Sequence, residues 1–509
     1  MNKKTLLLSL ISGLLLFLSF PKTDLGFLSW IALVPLLYTL KDSDLPGAFR
    51  TGFVMGLVYN IGLMYWIVFV VVRYGCLPFY AGVSVMLLLV IYLSLYPALF
   101  CTGITYFRRR GIGAILVAPV LWTSLDYLKA HLFSGFPWEE LAYSQHAYLS
   151  MIQVSDITGI YGITFLIVLV NCIIYDCIRA LFLPGGEKKR ILSKITVGLV
   201  LLLLVFGYGM HRIKYFSNNT ENIESNDILI VQGNIDQSVK WSPEYQTETI
   251  TTYNNMSTDA SESGVSLIVW PETAVPFFFQ NYNDKSRSLI KTAIKTNSWL
   301  LFGSPGYKRD GGKISFYNSA YLLSPEGTVS GRYDKVHLVP FGEYVPLHDI
   351  LFFIDKLVEG AGDFTAGNEI TPLSMDDGNV GVLICYEGIF PEISREYRQR
   401  GADLLVNITN DAWYGDTSAP YQHLTMAAFR AIENRIYMIR SANTGISAIV
   451  DPTGKILSKT GLFERTTLRG SIQFTQYDTV YSRYGDVFAC SCIMFLLIGF
   501  FISLRRTNR

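Results

Sequence analysis

The chain is 509 residues long, 50% hydrophobic and only 16% charged, against roughly 25% charged in an average soluble domain, and its mean hydropathy is +0.31. These figures exclude a disordered chain, a fibrous protein and a nucleic-acid binder with a basic face. The formal net charge of +1 selects no partner by bulk electrostatics, and 7 cysteines do not make a disulfide scaffold at this length.

Residues 1–211 contain about seven apolar runs of membrane-spanning length, near 5–20, 25–40, 51–72, 79–106, 112–131, 157–180 and 192–211. A further run lies at 486–504. Basic clusters follow every second crossing. Lys3 and Lys4 precede the first run, Lys41 and Arg50 follow the second, and Arg108, Arg109 and Arg110 follow the fourth. Lys188, Lys189 and Arg190 follow the sixth, and Arg505, Arg506 and Arg509 follow the last. If all runs cross, these clusters share one side, which the positive-inside rule makes cytoplasmic. Both termini are then expected inside and residues 212–485 outside. Residues 1–20 also have the lysine and apolar regions of a signal peptide, but Leu18-Ser19-Phe20-Pro21-Lys22 offers no small-residue cleavage site. No run carries a regular row of charges of the kind that marks an ion pathway. Asp126 and Lys129, one turn apart, are expected to pair near the outer interface, and Glu139 and Glu140 follow Ser134-Gly135-Phe136-Pro137-Trp138.

The region 226–470 alternates short apolar runs with amphipathic stretches. Strands are expected at Ile228–Val231, Ser266–Trp270, Trp299–Gly303, Val380–Cys385 and Asp403–Val406. Helices are expected near 243–259, 284–296, 391–400 and 420–435. Hairpins are expected over 314–333, turning at Ser324-Pro325-Glu326-Gly327, and over 437–458, turning at Asp451-Pro452-Thr453-Gly454. The alternation predicts a layered α/β domain. A long irregular stretch at 341–370, rich in Phe, Gly and Leu, has the character of a lid. The expected organisation is thus an α-helical transmembrane bundle of about eight spans (1–211 and 486–509) carrying an external α/β domain (212–485).

Cys385 is the one cysteine between residues 212 and 485; the other six fall in or beside apolar runs. It ends the apolar run Val380-Gly381-Val382-Leu383-Ile384 and precedes Tyr386-Glu387-Gly388. Two readings fit: a buried small hydrophobe, or a nucleophile at a strand end, where following backbone N–H groups can hold an oxyanion. A thiol nucleophile needs a base. His337, His348 and His423 show no papain-like local pattern. Glu272, in Val269-Trp270-Pro271-Glu272-Thr273, also follows an apolar strand; it is either that base or a solvated loop residue. Lys335 opens Lys335-Val336-His337-Leu338-Val339-Pro340-Phe341-Gly342-Glu343, which reads as a partly buried polar cluster or as an edge strand with outward charges. The three histidines lack metal-ligand spacing with cysteine or a second histidine, no Gly-rich phosphate loop appears, and no cofactor is expected.

With these motifs in order, the external domain resembles the nitrilase, or carbon–nitrogen hydrolase, superfamily. The whole chain is similar to the bacterial apolipoprotein N-acyltransferase family. Val231-Gln232-Gly233-Asn234-Ile235, Asn410-Asp411-Ala412-Trp413-Tyr414-Gly415 and Arg440-Ser441-Ala442-Asn443-Thr444-Gly445 fit as well. The resemblance implies an αββα sandwich, with Glu272 as general base, Cys385 as nucleophile, and Lys335 with the Tyr386 N–H as oxyanion donors. Glu343 is expected to orient Lys335, and Glu387, Tyr386 and Trp241 to support the site or line a lipid entrance. The reaction it implies moves a fatty acyl chain from a phospholipid donor to the N-terminal amine of a diacylglyceryl-modified apolipoprotein, through a Cys385 thioester. The protein is expected to act as a monomer, without metal or nucleic acid. A nearby cation is expected to lower the thiol pKa. Two other functions share parts of this pattern: a membrane-tethered amidase with the same three residues, and a transporter or receptor with an inactive external module.

Overall fold

The computed structural model describes residues 1–180, 188–219, 224–261, 264–344 and 364–507. The chain divides into two compact units, one of Met1–Phe69, Pro78–Tyr215 and Tyr484–Arg509, the other of Val70–Leu77 and Phe216–Arg483.

The first unit is helical. Four of its described helices are long and apolar enough to cross a membrane: Phe79–Arg109, Tyr161–Ala180, Leu192–Asn218 and Val487–Arg505. The pair Leu45–Met64 and Trp66–Arg73, bent by 51°, counts as a fifth if it forms one span. The remaining expected runs fall short for visible reasons. Lys3–Leu18 has 16 residues, about 24 Å of helix against a hydrocarbon core of about 30 Å. The second run is broken into a 3-10 turn, Gly26–Trp30, and a helix, Val34–Leu40. Ala114–His131 carries Asp126, Lys129 and His131 in its second half. Asp126 and Lys129 do pair, at 4.0 Å, and Glu139 and Glu140 are buried.

The second unit is an αββα sandwich. Its strands are β1 (Asn226–Gln232), β2 (Leu267–Val269), β3 (Trp299–Asp310), β4 (Lys313–Leu323), β5 (Val329–Asp334), β6 (Leu373–Ser374), β7 (Asn379–Ile384), β8 (Leu404–Thr409), β9 (Tyr437–Ala442), β10 (Ala448–Val450), β11 (Ile456–Lys459) and β12 (Thr466–Ile472). They form two six-stranded sheets, in the orders β12-β1-β2-β3-β4-β5 and β11-β10-β9-β8-β7-β6. In each sheet a parallel centre, β1-β2-β3 or β7-β8-β9, continues into antiparallel hairpins. The parallel strands read as unbroken apolar runs because both of their faces are covered. Helices Pro243–Ala260 and Asp284–Thr296 cover the first sheet through Ile250, Tyr253, Leu289 and Ala293. Helices Pro391–Gln399 and Ala419–Asn434 cover the second. The inner faces meet through bonds such as Ser441 Oγ to the Val269 carbonyl, 3.3 Å, and Ser447 Oγ to Gln232 Oε1, 2.6 Å.

Three features differ from the sequence expectation. β3 runs on to Asp310 and makes its own hairpin with β4 around Gly311 and Gly312, both at positive φ. The 437–458 segment holds three strands, not two. Cys385 is not a strand residue; β7 stops at Ile384, and Cys385 opens a five-residue 3-10 turn. The expected lid falls, over residues 345–363, outside the described residues.

The first sheet and its helices enclose Trp270, Phe279, Phe302 and Tyr321, whose rings pack at centroid distances of 4.9–6.2 Å. Phe302 is fully buried among them. Phe302→Ala is therefore expected to destabilise this unit by about 3–5 kcal/mol. The check is the apparent melting temperature of the purified protein, which should fall well below that of Tyr245→Ala, a change at an exposed position.

Candidate active site

Three chain segments bring chemistry to one place, each leaving the end of a strand. Glu272 follows β2, after Trp270 and Pro271. Trp270 is fully buried and donates from Nε1 to Ser257 Oγ, 2.9 Å. Gly303 on β3 lies against this turn so closely that a Cβ there would stand 2.4 Å from the Thr273 nitrogen and 2.8 Å from Glu272 Cα. Only glycine allows that approach. Lys335 follows β5, with its backbone N–H on the Asn318 carbonyl, 2.9 Å. Cys385 follows β7 at φ +52°, a left-handed conformation that costs a non-glycine residue roughly 1–2 kcal/mol.

These side chains are buried together: Glu272 is 6% exposed, Lys335 1% and Cys385 6%. Glu272 and Lys335 are close enough to shift each other's ionisation, and both act on Cys385. Lys335 Nζ donates to Glu343, 3.0 Å to Oε1 and 2.9 Å to Oε2. Glu343 Oε2 also accepts the Val339 N–H, 2.8 Å. Asn318 Nδ2 bridges the two carboxylates, 2.8 Å to Glu272 Oε1 and 2.9 Å to Glu343 Oε1. Glu387 ties the thiol turn to the lysine loop. Its Oε1 accepts from Tyr333 Oη (2.8 Å) and from the backbone N–H of Val336 (2.7 Å) and His337 (3.1 Å), and its Oε2 from the Ile384 N–H (2.7 Å).

Burial raises the Glu272 carboxyl above its ordinary range; Lys335 opposes this and Glu343 adds to it. Burial disfavours the Lys335 cation, but Glu343 and then Glu272 reverse the balance and hold it charged. Burial pushes the Cys385 thiol up to about 12, with Glu272 adding to the rise and Lys335 working against it. The cation thus acts in the expected direction, but it does not lower the thiol pKa overall, because desolvation and Glu272 outweigh it. The resting group is a thiol. His337 packs on Phe390, with ring centroids 3.9 Å apart, and burial followed by Lys335 depresses it to about 4. It is neutral near pH 7. His348 lies outside the described residues.

Tyr386 is buried between His337 and Phe390, at centroid distances of 5.8 and 5.0 Å. Trp241 is half-buried on the turn before helix Pro243–Ala260. Among the described residues no hydrogen bond or ring contact joins it to the cluster. The sequence reading missed three groups. Asn318 sits mid-strand in β4, in no motif. Lys240, buried beside Trp241, donates to the Glu272 carbonyl (3.1 Å) and to Thr273 Oγ1 (2.5 Å), and burial lowers it to about 8. Behind Cys385, Asn407, Asp411, His423 and Arg440 form a fully buried polar network. Asp411 and Arg440 stand in stretches already noted for their resemblance, which is the signal that pointed to them. Among the described residues no group of three His, Cys, Asp or Glu side chains is arranged to hold a metal ion. Chemically, the cluster offers a thiol, a carboxylate that can take its proton, and a fixed cation for developing negative charge.

The chain matches the Carbon-nitrogen hydrolase family over residues 229–481 and the Apolipoprotein N-acyltransferase N-terminal domain over residues 12–173. It is 44% identical to the apolipoprotein N-acyltransferase of Geobacter metallireducens over 507 residues, covering 99% of this chain and 96% of that one. It is 31% identical to the enzyme of the same name from Pasteurella multocida, covering 99% and 97%. A carbon–nitrogen hydrolase structure from Helicobacter pylori aligns with 52% of this chain and 94% of its own, at 18% identity and a TM-score of 0.40.

With a thiol at about 12, the thiolate fraction rises about tenfold per pH unit below that value. Alkylation of Cys385 by iodoacetamide is expected to be slow at neutral pH and to climb without a plateau up to at least pH 9.5. A plateau between pH 7 and 9 would show a low-pKa thiolate instead. Peptide mass analysis of the alkylated Cys385 peptide reads the rate.

Proposed function

Because the chain belongs to the apolipoprotein N-acyltransferase family, we propose that it acylates lipoproteins by ping-pong transfer through a thioester on Cys385, with a membrane phospholipid as acyl donor. It is a membrane protein and an acyltransferase of the carbon–nitrogen hydrolase superfamily, and its coarse reaction is lipoprotein N-acylation. The observation that carries the finer reading is the convergence of Glu272, Lys335 and Cys385 in one buried cluster at three strand ends.

In the first half-reaction, Cys385 Sγ attacks the ester carbonyl of the phospholipid while Glu272 takes the thiol proton. The new oxyanion is held by the Lys335 ammonium and the Tyr386 N–H. When it collapses, the ester C–O bond breaks, and Glu272 returns the proton to the departing glycerol oxygen, releasing a lysophospholipid. In the second, the α-amine of an S-diacylglyceryl cysteine attacks the thioester and Glu272 accepts its proton. The C–S bond then breaks and the proton goes back to sulfur. An ester is exchanged for a more stable amide, so no external energy source is required. One well-aimed donor to the oxyanion is worth roughly 2.7–4 kcal/mol.

Glu343 orients Lys335 in this reading, Glu387 and Tyr386 hold the two loops, and Trp241 lines the lipid entrance. The chain works as a monomer in the bacterial cytoplasmic membrane. The catalytic unit is on the periplasmic face and both termini are cytoplasmic, an arrangement supported by the shared side of the basic clusters. An already activated lipid donor suits that face, where ATP and acyl-CoA are not expected.

Protein purified from membranes is expected to carry one hydroxylamine-labile fatty acyl group on Cys385, absent from Cys385→Ala. Adding a synthetic diacylglyceryl-cysteine peptide should discharge it into an amide. Intact-mass and peptide mass analysis measures both. A Cys385 that stays free after incubation with phospholipid vesicles would sink the phospholipid-donor reading and turn attention to hydrolysis of small amides.

A further inference from the structure

The carbonyl oxygen of Cys385 accepts two buried side-chain hydrogen bonds, from His423 Nε2 at 3.1 Å and from Asn407 Nδ2 at 3.2 Å. A carbonyl oxygen only accepts, so Nε2 must carry the histidine proton. Arg440 stands behind both donors. Its Nη1 donates to Asn407 Oδ1, which turns the amide nitrogen toward Cys385. Its Nη2 donates to Asp411 Oδ2 at 2.8 Å and lies 3.0 Å from His423 Nδ1, which also stands 3.2 Å from Asp411 Oδ1. One guanidinium thus sets the amide orientation and, together with Asp411, holds the far side of the imidazole. Asp411 balances its charge and is itself held by Thr409 Oγ1, 3.0 Å. Asn407, His423 and Arg440 are all 0% exposed.

In a trans peptide the carbonyl and the following N–H point in opposite directions. Whatever fixes the Cys385 carbonyl therefore fixes the direction of the Tyr386 N–H. The Cys385 backbone is at positive φ, a conformation that persists only when its surroundings over-determine it. The two bonds to the carbonyl, with Glu387 holding the Ile384 N–H on the other side, supply that constraint.

We propose that His423 and Asn407 are positioning residues that hold the Cys385–Tyr386 peptide so that the Tyr386 N–H faces the reacting carbonyl. Neither touches substrate; they act through the peptide plane, with Arg440 as their common support. The proposal rests on Cys385 being the nucleophile.

The test uses the full-length protein, mixed phosphatidylethanolamine–phosphatidylglycerol vesicles with a labelled acyl chain, and a diacylglyceryl-cysteine peptide. Thioester formation and discharge are measured at single turnover, beside the rate of Cys385 alkylation by iodoacetamide. Alkylation is a displacement with no oxyanion, so the peptide's direction does not affect it. His423→Leu is expected to slow both acyl-transfer steps by about 10–100-fold, less than the roughly 10²–10³ of deleting an oxyanion donor outright. KM for the peptide and the alkylation rate should stay within about twofold of wild type. His423→Gln, which keeps a donor near the Nε2 position, should recover most of the rate. Asn407→Ser should show the same split, and it decides the matter if His423→Leu does not fold. Wild-type acyl transfer in a folded His423→Leu overturns the proposal, as does a loss matched by an equal loss of alkylation. A wild-type protein that forms no thioester fails at the earlier step and takes the donor reading down with it.

Discussion

An ammonium as buried as that of Lys335, 1% exposed, gives up several kcal/mol of hydration, which only close, well-aimed carboxylates return. Glu343 meets that need at 2.9–3.0 Å, and the rest of the site is arranged around the pair. The excess negative charge of Glu272 and Glu343 is shared through a single amide, Asn318 Nδ2, bonded to both. Glu387 is buried as well, and burial pushes its carboxyl up to about 7 although Lys335 opposes the rise. Its four hydrogen-bond donors are three backbone N–H groups and one tyrosine hydroxyl. It therefore fastens the lysine loop to the thiol turn without competing for the ammonium.

The sandwich makes this cluster possible because residues far apart in sequence leave strands whose ends lie together. Glu272 and Lys335 come from β2 and β5 of one sheet, Cys385 from β7 of the other. β2 and β7 are apolar and buried, so packing fixes their register and with it the first polar residue beyond each; β5 is a more polar edge strand, buried only at Tyr333 and Asp334 where it leads into Lys335. Gly303 completes this for Glu272 by letting β3 run against the turn. The Cys385 network does the equivalent for the thiol turn from the opposite side. A shift of β5 that moved Lys335 would leave buried carboxylates without their cation in a dry site.

That logic also explains what could be read from the sequence. Glu272 and Cys385 stood out because each follows an apolar strand, and Lys335, which follows the polar edge strand β5, because charged residues are interleaved with Val, Leu and Phe after it. The central parallel strands and their covering helices were legible for the same reason: unbroken β-branched runs next to amphipathic stretches. Asn318 and Asn407 were not, because they lie inside strands, and a buried polar group satisfied by neighbours from distant segments leaves no local trace. β12, Thr-Thr-Leu-Arg-Gly-Ser-Ile, was missed because it is a partly exposed edge strand of mixed polarity. β6 has only two residues. In the helical unit, hydropathy marked apolar segments well but not their breaks. The 51° bend between Leu45–Met64 and Trp66–Arg73 lies inside one continuous apolar run.

The neutral resting thiol fits acyl transfer through charge conservation. Under the proposed mechanism the site begins with Glu272 ionised, Cys385 protonated and Lys335 paired to Glu343. At the tetrahedral intermediate Glu272 holds the proton and the oxyanion holds the charge. The total is unchanged; a negative charge has moved from one neighbour of Lys335 to another. In a low-dielectric site that relocation needs no new solvation, whereas a free thiolate would add a charge before any carbonyl is present to receive it. Burial that raises both the thiol and the base therefore does not oppose catalysis. In the proposed mechanism it keeps the sulfur protonated until bond formation and proton transfer can proceed together.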